Sequence, residues 1–98
     1  MKNIIIVADI KVKEKFLDEV YQALSKLHFN THKYDKGCIQ YDFHQDLEDK
    51  YTFTFIETWE NETSLEEHIK KQHFLDFVSF VDGKLESKVV KKLEKIAN

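Results

Sequence analysis

At 98 residues the chain has material for one hydrophobic core and not for two. Hydrophobic residues make up 42% and charged residues 34%, with no proline, which excludes a linker-like composition, while 15 basic against 18 acidic residues (formal charge −3) leave no basic groove for nucleic acid. The single cysteine, Cys38, excludes an internal disulfide, and the apolar run Ile4 to Ala8 is too short for a signal segment or a membrane span, so the sequence predicts one ordered cytoplasmic domain over 1–98 with neither nucleic acid nor membrane as partner.

Ile4 to Val12 is β-branched and opens with apolar residues on both faces, which predicts a strand covered on both sides. From Lys13 the period changes. Phe16, Val20, Leu24 and Leu27 recur at helical spacing, and Glu14, Lys15, Asp18, Glu19 and Lys26 are left for solvent. The polar stretch Asn30 to Lys36 reads as a connection ending at Gly37, where a residue able to take positive φ suits the turn into a sheet. Ile39 to His44 alternates apolar with polar residues. After a polar turn, Tyr51, Phe53, Phe55, Glu57 and Trp59 alternate with Thr52, Thr54, Ile56 and Thr58, which predicts an antiparallel hairpin.

Asn61, Thr63 and Ser64 offer side-chain oxygens to orphan helix amides, and both Thr63 with Glu66 and Ser64 with Glu67 have capping-box spacing, so a second helix starts here. Its apolar stripe runs Leu65, Ile69 and then Phe74, Phe77, Val78, Val81. The change of phase near Gln72 predicts a bend or break between Lys71 and His73, and Gly83 is the stop. Ser87 to Ile96 fits a helical stripe as well as a strand.

If that last segment is a strand, the order is βαββαβ, an α+β arrangement with two helices on one face of a four-stranded antiparallel sheet. The opposite face, with Thr52, Thr54, Ile56 and Thr58, is too apolar to stay wet, which predicts a homodimer joined through the sheet faces.

Glu57 is the most informative residue, because alternation puts its carboxylate on the face of Phe53, Phe55 and Trp59, where an unpaired charge is costly. Either it reaches a lysine or backbone amide near the strand end, or it serves a pocket with a raised pKa. His68, three residues after Leu65, lies on the buried edge of the second helix, within reach of Glu57 or Trp59, as a core histidine or as a proton acceptor near neutral pH. His68 and His73 are five apart and diverge on one continuous helix, so no metal site is expected. Cys38 reads as a small strand residue rather than a nucleophile, and two glycines are too few for a nucleotide-binding loop. The aromatic set Tyr41, Phe55, Trp59, Phe74 and Phe77 builds core or lines a flat apolar slot between sheet and helices.

Gly37-Cys38-Ile39-Gln40-Tyr41, Ile56-Glu57-Thr58-Trp59-Glu60, Leu65-Glu66-Glu67-His68 and His73-Phe74, in that order, resemble the antibiotic-biosynthesis monooxygenase domain, and within it the small bacterial quinol monooxygenases. The resemblance covers nearly the whole chain. It implies a ferredoxin-like fold with the last segment a strand, dimerisation into an α/β-barrel, and a pocket in each protomer between sheet and helices. It also implies oxidation of a small quinol or polyphenolic aromatic substrate by O2 with no cofactor, neither metal nor flavin, the substrate anion donating the electron.

Carried over by residue, the resemblance makes Glu57, Trp59 and His68 the catalytic set, with Tyr41, Phe55, His73, Phe74 and Phe77 around the substrate. On this reading His68, held by Glu57, takes a quinol proton, and the Trp59 indole N–H donates to the oxyanion. A second branch of the same fold degrades haem with an Asn on the first strand and a Trp and a later His on the second helix. Here Asp9 and His68 stand at the first two places and no His follows His73, so the haem set is not reproduced. The remaining alternative is a dimeric small-molecule binder without catalysis.

Overall fold

The computed structural model describes residues 3–96; residues 1–2 and 97–98, the ends of the expected 1–98 domain, lie outside it. Strand β1 (Ile4–Val12) leads through a short 3-10 turn into helix α1 (Leu17–Tyr34), followed by β2 (Cys38–Gln45), β3 (Thr52–Trp59), α2 (Glu62–Lys70), α3 (Gln72–Val81) and β4 (Leu85–Glu94). The ambiguous last segment is a strand. Tertiary pairing decides it: Ile5 to Leu93 and Ala8 to Val90 lie opposite each other in an antiparallel ladder along β1.

Helix α1 runs further than its polar composition suggests, through residues 30–34. Val20, Leu24, Leu27 and Thr31 form one buried stripe at helical spacing, so the small Thr31 continues the face that the apolar residues begin. Acidic Asp18 and Glu19 in the first turn and Lys33 in the last complement the helix dipole. At α2 the cap is Asn61, whose side-chain oxygen accepts from the Ser64 amide at 2.8 Å. The chain breaks at Lys71, which ends α2 and precedes α3 with extended dihedrals (φ −67°, ψ 144°).

The sheet order is β2-β3-β1-β4, with every neighbouring pair antiparallel. With the helices, this is the ferredoxin-like βαββαβ arrangement. The expected barrel is not formed: β2 and β4 are the two ends of an open four-stranded sheet. The first and last strands of that order do not pair with each other, so β2 and β4 each keep one open edge. Ile6, Ala8, Ile10, Val12, Phe53, Phe55 and Trp59 face the helices and form the core with Val20, Leu24 and Leu27. Helix α3 packs against α1 rather than down on β4, and the helix side of β4 is left open. That gap is the cavity described next. Among the described residues no helix is long and apolar enough to cross a membrane.

Candidate active site

A cavity of about 620 Å³ lies between the β1–β4 half of the sheet and helices α2 and α3, in the size range of small-molecule sites. Tyr41, Phe55, Phe74 and Phe77 supply its aromatic wall, and Glu57 and His68 its most buried polar groups. Lys88, Val90 and Lys92 of β4 form the open rim, with Lys92 paired to Glu62.

Glu57 is 6% exposed, on the helix side of β3 opposite Ile6 of β1 and Tyr41 of β2. Burial raises its carboxyl from 4.5 to about 7, opposed by the Trp59 indole, whose Nε1–H donates to Glu57 Oε1 at 2.9 Å. The indole N–H is thus engaged with Glu57, and Trp59, fully buried behind the cavity wall, does not border the cavity. It is the floor under His68, ring centroids 4.5 Å apart.

His68 is not held by Glu57. Its Nδ1 is hydrogen-bonded to Oδ2 of Asp35, a buried carboxylate between the end of α1 and Gly37. The imidazole stacks among Trp59, Phe74 (4.9 Å) and Tyr41 (5.3 Å), and its Nε2 has no hydrogen-bond partner among the described residues. Burial lowers the His68 pKa, with Asp35 pulling the other way, so the ring is neutral near pH 7. A neutral ring that donates Nδ1–H to a carboxylate carries its lone pair on Nε2.

His73 reaches the same carboxylate. Its Nε2 is 2.8 Å from Asp35 Oδ1, without a hydrogen bond between them. The break at Lys71 starts a new helix before His73, which overrides the divergence that a five-residue spacing has on one continuous helix. The expectation that these histidines point apart is therefore corrected. Donor atoms of Asp35, His68 and His73 lie within 4.8 Å of one another, a set able in principle to hold a metal, although each Asp35 oxygen already faces an imidazole. His73 borders a separate hollow of about 340 Å³ with Lys26 and Asp76 rather than the main cavity.

Asp35 was not legible as a site residue. Nothing in its local pattern separates it from Lys33 or Lys36, and only the turn at Gly37 carries it inward. Cys38 is half-buried, its thiol pushed up to about 11 by burial and then by Asp35, so it stays protonated. Asp9 lies on the far face of the sheet, accepting from Thr54 Oγ1 at 2.6 Å, away from the cavity.

Residues 3–79 match the antibiotic biosynthesis monooxygenase family model. The chain belongs to that family. An uncharacterized Synechocystis protein is 32% identical over 94 residues, which are 96% of this chain and 63% of that protein, so the chain spans less than two thirds of this relative. Among solved structures, a Pseudomonas aeruginosa protein superposes with a TM-score of 0.91 at 28% identity, covering 99% of this chain and 97% of the other. A Bacteroides thetaiotaomicron protein, described as a possible oxidoreductase, gives 0.87 at 26% identity over 96% and 98%. The family match takes in the cavity wall from Ile6 to Val78, together with Asp35 and the Glu57–Trp59 pair, while β4 lies beyond it.

Proposed function

We propose that the protein is an oxidoreductase that oxidises a flat quinol or polyphenolic substrate with O2 in the cavity between sheet and helices, without metal or flavin. Family membership and the Bacteroides relative support the oxidoreductase class. The observation that carries the mechanism is His68 itself, neutral, fixed through Nδ1 to Asp35 and unpartnered at Nε2 on the wall of an aromatic cavity.

His68 Nε2 takes the substrate hydroxyl proton, and Asp35 holds the tautomer and balances the imidazolium that forms. A phenolate gives an electron to O2 far more readily than a phenol. The ring carbon then gains one oxygen atom, the O–O bond breaks, and the second oxygen leaves as water, all four electrons coming from the quinol. Glu57, whose carboxyl burial raises to about 7, supplies a proton to the departing oxygen, with Trp59 fixing its other oxygen. Nε2 is fully buried, so substrate must displace part of the wall to reach it, and Phe74 is the adjacent wall residue.

The chain further pairs with a second copy through its uncovered sheet face, where Val7 and Ile56 are half-buried and Val89 and Leu93 are 57% and 46% exposed. Reaction under ¹⁸O2 with a reduced naphthoquinone tests the chemistry. One labelled atom in the hydroxylated quinone and one in water is expected. Ligand-induced stabilisation with no label in any product makes the protein a binder instead.

A further inference from the structure

Away from the cavity, His28 and His32 stand one helical turn apart on α1, and Asp42 comes up beside them from the edge strand β2. The two imidazoles meet edge to face at 4.5 Å, and one donor atom from each of the three residues lies within 4.8 Å of the other two. None of the three borders the cavity.

Two of the three residues are held by contacts from outside the trio. His32 Nε2 is 2.7 Å from the Tyr41 carbonyl oxygen, which can only accept, so Nε2 carries the hydrogen and the lone pair of the neutral ring is on Nδ1. Asp42 Oδ2 accepts from the Gln40 side-chain amide at 3.2 Å. Backbone carbonyls behind a histidine and amides behind a carboxylate are the outer contacts that fix ligands around a bound metal.

We propose that His28, His32 and Asp42 form a site for a divalent transition metal of the zinc type, which clips helix α1 to the open edge of the sheet. Two imidazoles and one carboxylate are a three-ligand set for tetrahedral zinc, with water as the fourth ligand. Ligand bonds of about 2.0–2.1 Å require the donor atoms to close to roughly 3.3 Å, a side-chain rotation for His28 and Asp42. The buried trio of Asp35, His68 and His73 is the weaker candidate, because a metal there must first break the buried Asp35–His68 hydrogen bond.

Zinc titration of the metal-free full chain, followed by calorimetry and thermal melting, tests the assignment. One zinc per chain and a raised melting temperature are expected. Affinity should fall about tenfold or more in His28→Ala and in Asp42→Ala, and by about tenfold in Gln40→Ala, which removes the outer contact to Asp42 together with the hydrogen bond from Thr58. His73→Ala should bind as the parent does. Absence of zinc binding by the parent chain, full affinity in both His28→Ala and Asp42→Ala, or loss confined to His73→Ala overturns the proposal. Melting of each variant without zinc shows that the fold is intact.

Discussion

Asp35 and His68, 33 residues apart in sequence, meet in a buried hydrogen bond that decides which imidazole nitrogen is basic. Both side chains are almost wholly shielded from water. A buried acceptor and a buried ring nitrogen each satisfied by the other stabilise the fold as well as the tautomer.

Asp35→Asn keeps the shape and can turn an NH2 toward Nδ1, which moves the ring proton to Nε2 and blocks the base. The expected result is a kcat lower by roughly 10²–10⁴-fold with KM little changed, measured by steady-state oxygen uptake. A variant impaired in KM alone would place Asp35 in binding rather than in proton transfer.

Glu57 gives a pH dependence of stability with a definite sign. Its carboxyl rises from 4.5 in the unfolded chain to about 7 when folded, so between those values the folded state binds more protons. Stability therefore falls as pH rises across that window, by about 3 kcal/mol at most, taking about 1.4 kcal/mol per pH unit. His68 acts in the opposite sense: with its folded pKa lowered from 6.5, the unfolded chain takes up a proton first and stability falls as pH drops below that value. Urea unfolding of Glu57→Gln at a series of pH values should lack the decline between pH 4.5 and 7. An unchanged slope would mean that Glu57 is ionised in the folded protein throughout.

Gly37 is needed for two reasons at once. Its φ is +79°, and a Cβ there would sit 2.0 Å from Ser64 Oγ and 2.6 Å from Ser64 Cβ. Gly83 shares the positive φ (+78°) but has open space around it. Gly37→Ala should cost about 2 kcal/mol or more, and Gly83→Ala about 1–2 kcal/mol from the backbone alone. Equal losses in urea unfolding would show that the close approach of α2 to this turn is not rigid.

The open sheet face gives a test of assembly. Ile56→Lys places a charge in the middle of that face, opposite Val7 and Asp42. The expected outcome in sedimentation is a monomer or an aggregate. A clean dimer would move the interface elsewhere on the surface.

What sequence could carry was set by period and what it could not was set by distance. Alternation along Thr52–Trp59 placed Phe53, Phe55, Glu57 and Trp59 on one face without ambiguity, and the phase shift at Gln72 located the break between α2 and α3. The end of α1 is hidden in the sequence because Thr31 is polar yet fully buried, which only packing reveals. The last strand was undecided because Val89, Val90 and Leu93 become legible only against β1. Glu57, Trp59 and His68 do cluster, yet their bonding differs from expectation: Trp59 serves Glu57, and His68 answers to Asp35, a residue whose role depends on a turn at Gly37 and a contact across 33 positions. Open edges on a four-stranded sheet likewise follow from strand order, which local pattern does not contain.

The central claim is that His68 is the base that starts an oxygen-consuming reaction. Oxygen uptake by metal- and flavin-free protein with reduced naphthoquinones, set against a protein-free blank and against His68→Ala, measures it directly. Uptake well above the blank that falls by roughly 10²–10⁴-fold in His68→Ala is the expected result. Uptake that persists in His68→Ala, or never exceeds the blank in the parent protein, contradicts it.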